Sequence, residues 1–167
     1  MKVLVTGGSG QVGSELLRRG RQMGLSMIAA SQAELDITQA LAVHSFFQRY
    51  QPDLVINAAA YTAVDQAESE SELVYAVNRD GAANLARACV QHGIPLFHLS
   101  TDYVFDGEKE GQYCETDPAR PLSIYGDSKQ EGDRIISDVL QQHIKNGRES
   151  CRERVKRQGV QETGDRR

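Results

Sequence analysis

Tyr125 and Lys129 stand four residues apart in SIYGDSKQEG, so a helix would turn both side chains to one face. A tyrosine hydroxyl with a reference pKa near ~10 is by itself a poor proton carrier at neutral pH. An ammonium beside it favours the phenolate and draws that pKa toward working pH. The couple is therefore a candidate for proton transfer, and a hydroxyl such as Thr101 could bond a substrate carbonyl oxygen and orient it for hydride attack. In isolation the spacing describes no more than two helix residues. The chemistry needs a source of hydride, and the start of the chain offers a place for one.

That start reads MKVLVTGGSGQVG. Val3, Leu4 and Val5 form a short apolar run suited to a strand buried on both faces. Thr6-Gly7-Gly8-Ser9-Gly10 turns sharply, and from Gln11 the pattern becomes helical, with Val12, Leu16 and Met23 expected on the buried face. Gly8, Gly10 and Gly13 fit G-x-G-x-x-G, and Gly7, Gly10 and Gly13 fit G-x-x-G-x-x-G. A strand, a glycine turn and a helix start can hold the pyrophosphate of a dinucleotide. The glycines allow a tight turn and close backbone approach, and the helix N-terminus supplies partial positive charge. An ordinary glycine-rich loop would carry the same residues without a ligand.

The elements that must position these groups alternate strand and helix. Leu25–Ala30 is expected to form a second parallel strand. Its end, Ala30-Ser31-Gln32, has neither the acidic residue that takes a ribose 2′-hydroxyl nor the arginine that accepts a 2′-phosphate. The choice between NADH and NADPH is not legible there. Residues 34–36 read as a short edge piece. Asp36 either bonds the adenine or caps a helix expected over Thr38–Tyr50. Leu54–Asn57 is a third strand running into Ala58-Ala59-Ala60-Tyr61, whose small residues leave room for a ligand at the carboxyl edge of the sheet.

Val64–Glu72 is acidic and expected to be helical. Leu73, Val77, Gly81, Leu85 and Cys89 recur every four residues, predicting one buried stripe of a long helix ending at His92-Gly93. Asn78 on that helix reads as structural. Leu96–Ser100 is a fourth strand, expected to be buried, followed by the polar and aromatic loop Thr101–Gly107. Residues 108–122 form a long loop of the kind used as lids or binding loops. The Tyr125 helix is expected to continue its apolar face through Ile136 and Leu140. The predicted fold is α/β: a Rossmann-like, doubly wound parallel sheet in three αβα layers with right-handed crossovers.

Composition narrows the function classes. The chain has 167 residues and a formal charge of −4, which suits one domain and argues against a nucleic-acid surface or an anionic membrane as its partner. No apolar run reaches the length of a membrane span, and no signal-peptide core precedes the first strand. Cys89, Cys114 and Cys151 lack metal-ligand spacing and read as free thiols of a reducing cytoplasm. The four histidines are scattered singly, so no metal site is expected. Residues 142–167 carry eight basic and four acidic side chains, a net of +4 against −8 for the rest. A dinucleotide-binding domain over 1–140 and a polar basic tail over 141–167, irregular or helical, are therefore expected.

The stretches VTGGSGQVG, ELDIT, PDLVINAAAYTAVDQAE, VNRDGAANLA, LSTDYVFDG and YGDSK together resemble the extended short-chain dehydrogenase/reductase superfamily. Within it they are most similar to the dTDP-4-dehydrorhamnose reductases, over roughly residues 1–135. The resemblance implies NAD(P)H-dependent reduction of the 4-keto group of dTDP-4-dehydro-L-rhamnose, with Thr101, Tyr125 and Lys129 as the catalytic set. It implies cofactor contacts from Gly7, Gly10, Gln11, Val12, Asp36, Ile37, Ala58, Ala59, Ala60, Tyr125 and Lys129. Thr101, Asp102, Tyr103 and Tyr125 would face a dTDP-sugar, and a homodimer is compatible with the family.

Members of that family run on well beyond this length. The resemblance therefore predicts a C-terminally truncated version, its sheet incomplete on the C-terminal side and its substrate domain absent. Weak dinucleotide binding and slow turnover are expected to follow. A non-catalytic NAD(P)-binding regulatory subunit, similar to the methionine adenosyltransferase β-subunit, is the alternative of a different class. Another sugar-nucleotide epimerase or reductase is a third.

Overall fold

A computed structural model describes the backbone of residues 1–162 and the side chains of residues 1–145. Four strands, β1 (Lys2–Thr6), β2 (Ser26–Ala30), β3 (Leu54–Asn57) and β4 (Leu96–His98), form one sheet in the order β2-β1-β3-β4. All three pairings are parallel, with Val3 opposite both Met27 and Leu54, and Ile56 opposite Phe97. The chain leaves β1 toward one side to make β2 and returns to the other side to make β3. The order reverses at β1, and in such sheets a crevice opens above the carboxyl ends at that point.

The connecting helices are α1 (Gln11–Gln22), α2 (Ala40–Tyr50), α3 (Val64–Ala67), α4 (Ser71–Tyr75), α5 (Ala82–His92) and α6 (Ile124–Glu162). A π-helical turn, Ala76–Gly81, joins α4 to α5, and a 3₁₀ turn, Asp102–Val104, follows β4. On one face of the sheet Val43 and Phe47 of α2 and Leu85 and Cys89 of α5 pack against Leu4 and Val55. Side chains buried this fully contribute ~1.5–3 kcal/mol each, so this cluster is the main core. On the other face α1 places Leu17 against Val3 and Val5. That α1 layer touches β1 and β2, whereas Ile56 is only half-buried and Phe97 is 61% exposed.

Several expectations change. The buried face of α1 is Gly13, Leu17 and Gly20, whereas Val12 and Met23 are exposed. Glycines rather than Val12 and Met23 flank Leu17 on that face because the helix lies so close: a Cβ on Gly13 would sit 2.2 Å from the Gly7 carbonyl oxygen. Residues 34–36 are a turn rather than an edge piece, and Leu35 and Ile37 drop into the main core. The helix expected from Thr38 starts at Ala40, with Gln39 at its N-cap.

The stripe expected from Leu73 to Cys89 does not run straight. Val74, Asn78, Ala82 and Ala86 are also buried, whereas Leu73 is half-exposed. The π-helical turn inserts extra residues per turn and rotates the face presented before it relative to that after it. The fourth strand is three residues long rather than five, and its outer edge is unpaired among the described residues, so Phe97 and Leu99 are exposed. Leu140, expected on the apolar face of α6, is also exposed. Among the described residues no helix is long and apolar enough to cross a membrane. The Cys151 side chain and residues 163–167 of the expected tail lie outside the described set.

Candidate functional site

The glycine turn is built by close approach. Gly7 has φ +66°, and a Cβ there would lie 2.7 Å from the backbone of Ala58 and Ala59. Only glycine fits that conformation and that gap. Gly10 N–H donates to the Gly7 carbonyl at 3.0 Å, and Gly8 N–H donates to the Ala30 carbonyl at 3.2 Å. The turn is thereby tied to itself and to the end of β2. Gly10 serves as N-cap of α1 without a side-chain cap. The first-turn N–H groups of α1 therefore stay available to an anion, and a diphosphate fits that need.

Above the turn lies a cavity of about 380 Å³. Its walls come from the carboxyl ends of three strands: Gly7, Ser9 and Gly10 after β1, Asp36 and Ile37 after β2, and Ala58, Ala59 and Ala60 after β3. Gln11 and Val12, the other two expected contacts, sit exposed at the start of α1 and do not line the cavity. Asp36 accepts from Thr38 N–H at 3.0 Å and from the Thr38 hydroxyl at 2.8 Å. It thus organises the turn before α2 while also lining the cavity, and it does not cap that helix.

Tyr61, Leu73 and Val77, which lie outside the expected set of cofactor contacts, also line the wall. Tyr61 is clamped by Asn78, whose Oδ1 accepts from Tyr61 N–H at 2.8 Å while its Nδ2 donates to the Tyr61 carbonyl at 3.1 Å. The same Nδ2 donates to Ser128 Oγ at 3.0 Å, which links the cavity wall to α6. Leu73 and Val77 complete the wall from α4 and the π-helical turn. Asn78 thus plays a structural part, holding the Tyr61 backbone to α6.

The second group of site residues gathers beyond β4. Thr101 Oγ1 donates to Asp102 Oδ1 at 3.2 Å and accepts from Tyr103 N–H at 3.3 Å. The Tyr103 ring meets Tyr125 edge-on with centroids 5.5 Å apart, and Tyr125 is buried while Tyr103 stays half-exposed. Two glycines that the sequence did not flag bring α6 in. A Cβ on Gly126 would stand 2.2 Å from the Tyr103 carbonyl oxygen, and one on Gly132 would stand 2.3 Å from that of Asn78.

Lys129 lies on the same helix but deeper, at 2% exposure, and does not line the cavity. Its Nζ donates to the Leu99 carbonyl at 2.5 Å and lies 3.3 Å from His98 Nε2. Burial lowers its pKa from the usual lysine value, and the nearby Asp133 carboxylate opposes that shift. Behind it runs a buried polar chain. Asn57 Oδ1 accepts from Thr6 Oγ1 at 2.6 Å and from Ala59 N–H at 3.1 Å, so its Nδ2 faces His98 Nδ1, 3.0 Å away. His98 Nδ1 must accept there, and the neutral ring carries its proton on Nε2, toward Asp133 Oδ1 at 3.6 Å. The Lys129 ammonium finds no acceptor on that nitrogen and directs its bond to Leu99 instead.

The RmlD substrate binding domain family model matches residues 1–145. The chain belongs to this family. A dTDP-4-dehydrorhamnose reductase of Aggregatibacter actinomycetemcomitans is 46% identical over 136 residues, covering 81% of this chain and 46% of the relative. The crystal structure of a dTDP-4-dehydrorhamnose reductase from Clostridium acetobutylicum superposes with a TM-score of 0.81 at 41% identity, over 83% of this chain and 50% of that one. The corresponding enzyme from Bacillus anthracis, solved in complex with NADP, gives a TM-score of 0.80 at 37% identity, over 83% of this chain and 49% of that one. The chain spans about half the length of the curated relatives it matches. The sheet and the Rossmann-like layering expected from the sequence are those of these reductases. Among the described residues no three His, Cys, Asp or Glu side chains converge on a metal position.

Proposed function

We propose that this chain binds a reduced nicotinamide dinucleotide across the glycine turn and carries the proton-transfer residues of a dTDP-4-dehydrorhamnose reductase. The supporting observation is the uncapped start of α1 at the floor of a cavity whose walls are the carboxyl ends of three parallel strands. Gly7, Gly10, Gln11 and Val12 offer backbone at the turn and at the start of α1, and Asp36, Ile37, Ala58, Ala59 and Ala60 offer the walls. When bound, the dinucleotide supplies hydride to the 4-keto carbon of the sugar. Tyr125 donates the proton to the carbonyl oxygen, Thr101 orients that oxygen, and Lys129 brings positive charge on the same helix. Asp102 and Tyr103, on the same loop as Thr101, face the dTDP-sugar.

The reading places the protein in the cytoplasm, where Cys89 and Cys114 stay free. It also allows a homodimer. The intact Thr101, Tyr125 and Lys129 favour an enzyme over a purely regulatory subunit, which has no use for all three.

The test has two stages. Fluorescence titration with reduced dinucleotide is expected to show saturable binding, and dTDP-4-dehydro-L-rhamnose is expected to make the bound dinucleotide oxidise. Tyr125→Phe should keep the binding and lower oxidation by about 10²-fold or more, the usual weight of a positioned proton donor. Folded protein with no saturable binding refutes the reading, as does a Tyr125→Phe variant as active as the parent.

A further inference from the structure

We infer that His98 is a positioning residue for the reaction: its ring contacts both Lys129 and Asp133 and keeps the ammonium from pairing with that carboxylate. This inference rests on the functional reading above, in which Lys129 brings charge on the helix of Tyr125. It adds the residue that keeps that charge available.

Lys129 and Asp133 are four residues apart on α6, the spacing at which a lysine and a carboxylate on one helix face meet. Lys129 is almost wholly buried, so little water competes for its charge and attraction to a carboxylate is strong. Yet the ammonium donates to the Leu99 carbonyl and not to Asp133. His98 Nε2 lies 3.3 Å from Lys129 Nζ and 3.6 Å from Asp133 Oδ1. The other carboxylate oxygen, Asp133 Oδ2, accepts from the Ser100 hydroxyl. The two oxygens thus face His98 at the end of β4 and Ser100 just beyond it, and not the lysine.

The ring cannot swing aside. Asn57 stands opposite His98 across β3 and β4, and its Nδ2 meets His98 Nδ1 at 3.0 Å. Asn57 is itself fixed, because its Oδ1 accepts from Thr6 Oγ1 and from Ala59 N–H. The orientation of the ring is therefore set by the backbone that forms the glycine turn and the cavity wall. With its proton on Nε2, the neutral ring offers the ammonium no lone pair and offers the carboxylate a donor. A residue that only packed here would need no nitrogens, since an apolar side chain fills the space without burying polar atoms. Without the ring, the flexible four-carbon stem of Lys129 would let its ammonium reach Asp133. A paired carboxylate would cancel much of the charge that Lys129 brings to Tyr125.

The experiment uses the intact chain, with thermal unfolding to verify that each variant folds. His98→Asn keeps an acceptor for Asn57 Nδ2 and removes the ring nitrogen that faces Lys129. In crystals of that variant, Lys129 Nζ is expected on the Asp133 carboxylate instead of the Leu99 carbonyl. Oxidation of bound dinucleotide by the sugar should fall about 10-fold, while dinucleotide affinity stays within about twofold of the parent. Adding Asp133→Asn removes the competing carboxylate, so the double variant should regain most of the lost rate. A merely structural loss would not be rescued in that way. His98→Gln, long enough to keep an N–H beside Asp133, should retain more of the rate than His98→Asn. Should His98→Asn not fold, His98→Ser removes the same nitrogen and carries the same expectations. Lys129 still on the Leu99 carbonyl in crystals of the variant, or a double variant no faster than the single one, overturns the inference. In a parent that binds dinucleotide without turnover, the crystals alone decide. A folded parent that binds no dinucleotide overturns the functional reading itself, and this inference with it.

Discussion

At the scale of single residues, His98 shows how a buried ring constrains the site. Burial first, and the Lys129 charge second, push its pKa from the ordinary 6.5 down to about 4. Unfolded, the ring takes its proton near the upper value; folded, it resists until the lower one. Between them the unfolded chain binds more protons, so stability falls as pH drops through that window and the loss is complete below it. The full effect is about 3 kcal/mol. Asp133 acts in the opposite sense, because burial raises its carboxyl and lets the folded state take that proton early. Burial also lowers Lys129, so the folded chain holds that proton less firmly than the unfolded one. His98→Gln is therefore expected to flatten the fall in urea-unfolding free energy between pH 6.5 and 4.5 (about the ring's own window). Equal slopes for parent and variant would show that the ring does not titrate as its surroundings require.

At the scale of elements, glycine contacts decide where α1 and α6 lie. Two glycines of α1 make the case testable, since each would clash but with different atoms. A Cβ on Gly13 meets the Gly7 carbonyl oxygen at 2.2 Å, and one on Gly20 meets Met27 Sδ at 2.4 Å. The first neighbour is backbone in the tightest part of the turn; the second is the free end of a flexible thioether. Gly13→Ala should therefore cost about 3 kcal/mol and abolish dinucleotide binding. Gly20→Ala should fall within about 1 kcal/mol of the parent, because a better helix former offsets the Met27 shift. Chemical unfolding and NADH titration of both variants check this, and equal costs would contradict it.

The same contacts explain what could be read beforehand. Val3-Leu4-Val5, Leu54–Asn57 and the glycine turn were legible because local pattern and tertiary role agree there. The α1 face was misread because hydrophobicity pointed to Val12 and Met23 while closeness of approach chose Gly13 and Gly20. Leu73 was misread because the π-helical turn between it and α5 has no four-residue signature, while Val77 does pack on the main core. Gly126 and Gly132, which seat the Tyr125 helix, carry no signal apart from a partner backbone that the sequence does not place beside them.

At the scale of the whole molecule, the two faces of the sheet are covered unequally. Helices α2 and α5 seal one face, with α6 packed on α5, whereas α1 covers β1 and β2 and leaves the β3–β4 side of its face open. Phe97 stands 61% exposed there, Leu99 is exposed beside it, and the outer edge of β4 has no partner among the described residues. An unpaired strand next to exposed apolar side chains invites pairing with another chain, and a charge at the edge suppresses it. The chain on its own is therefore expected to associate as its concentration rises. Sedimentation velocity should show a larger weight-average mass at higher loading for the parent, and a mass that stays monomeric for Phe97→Lys. The cavity lies at the carboxyl ends of the strands and Phe97 does not line it, so the same variant should bind NADH as the parent does. A Phe97→Lys variant that associates like the parent would place the contact elsewhere. A variant that loses NADH binding while remaining folded would show that the open face and the cavity are coupled through β3 and β4.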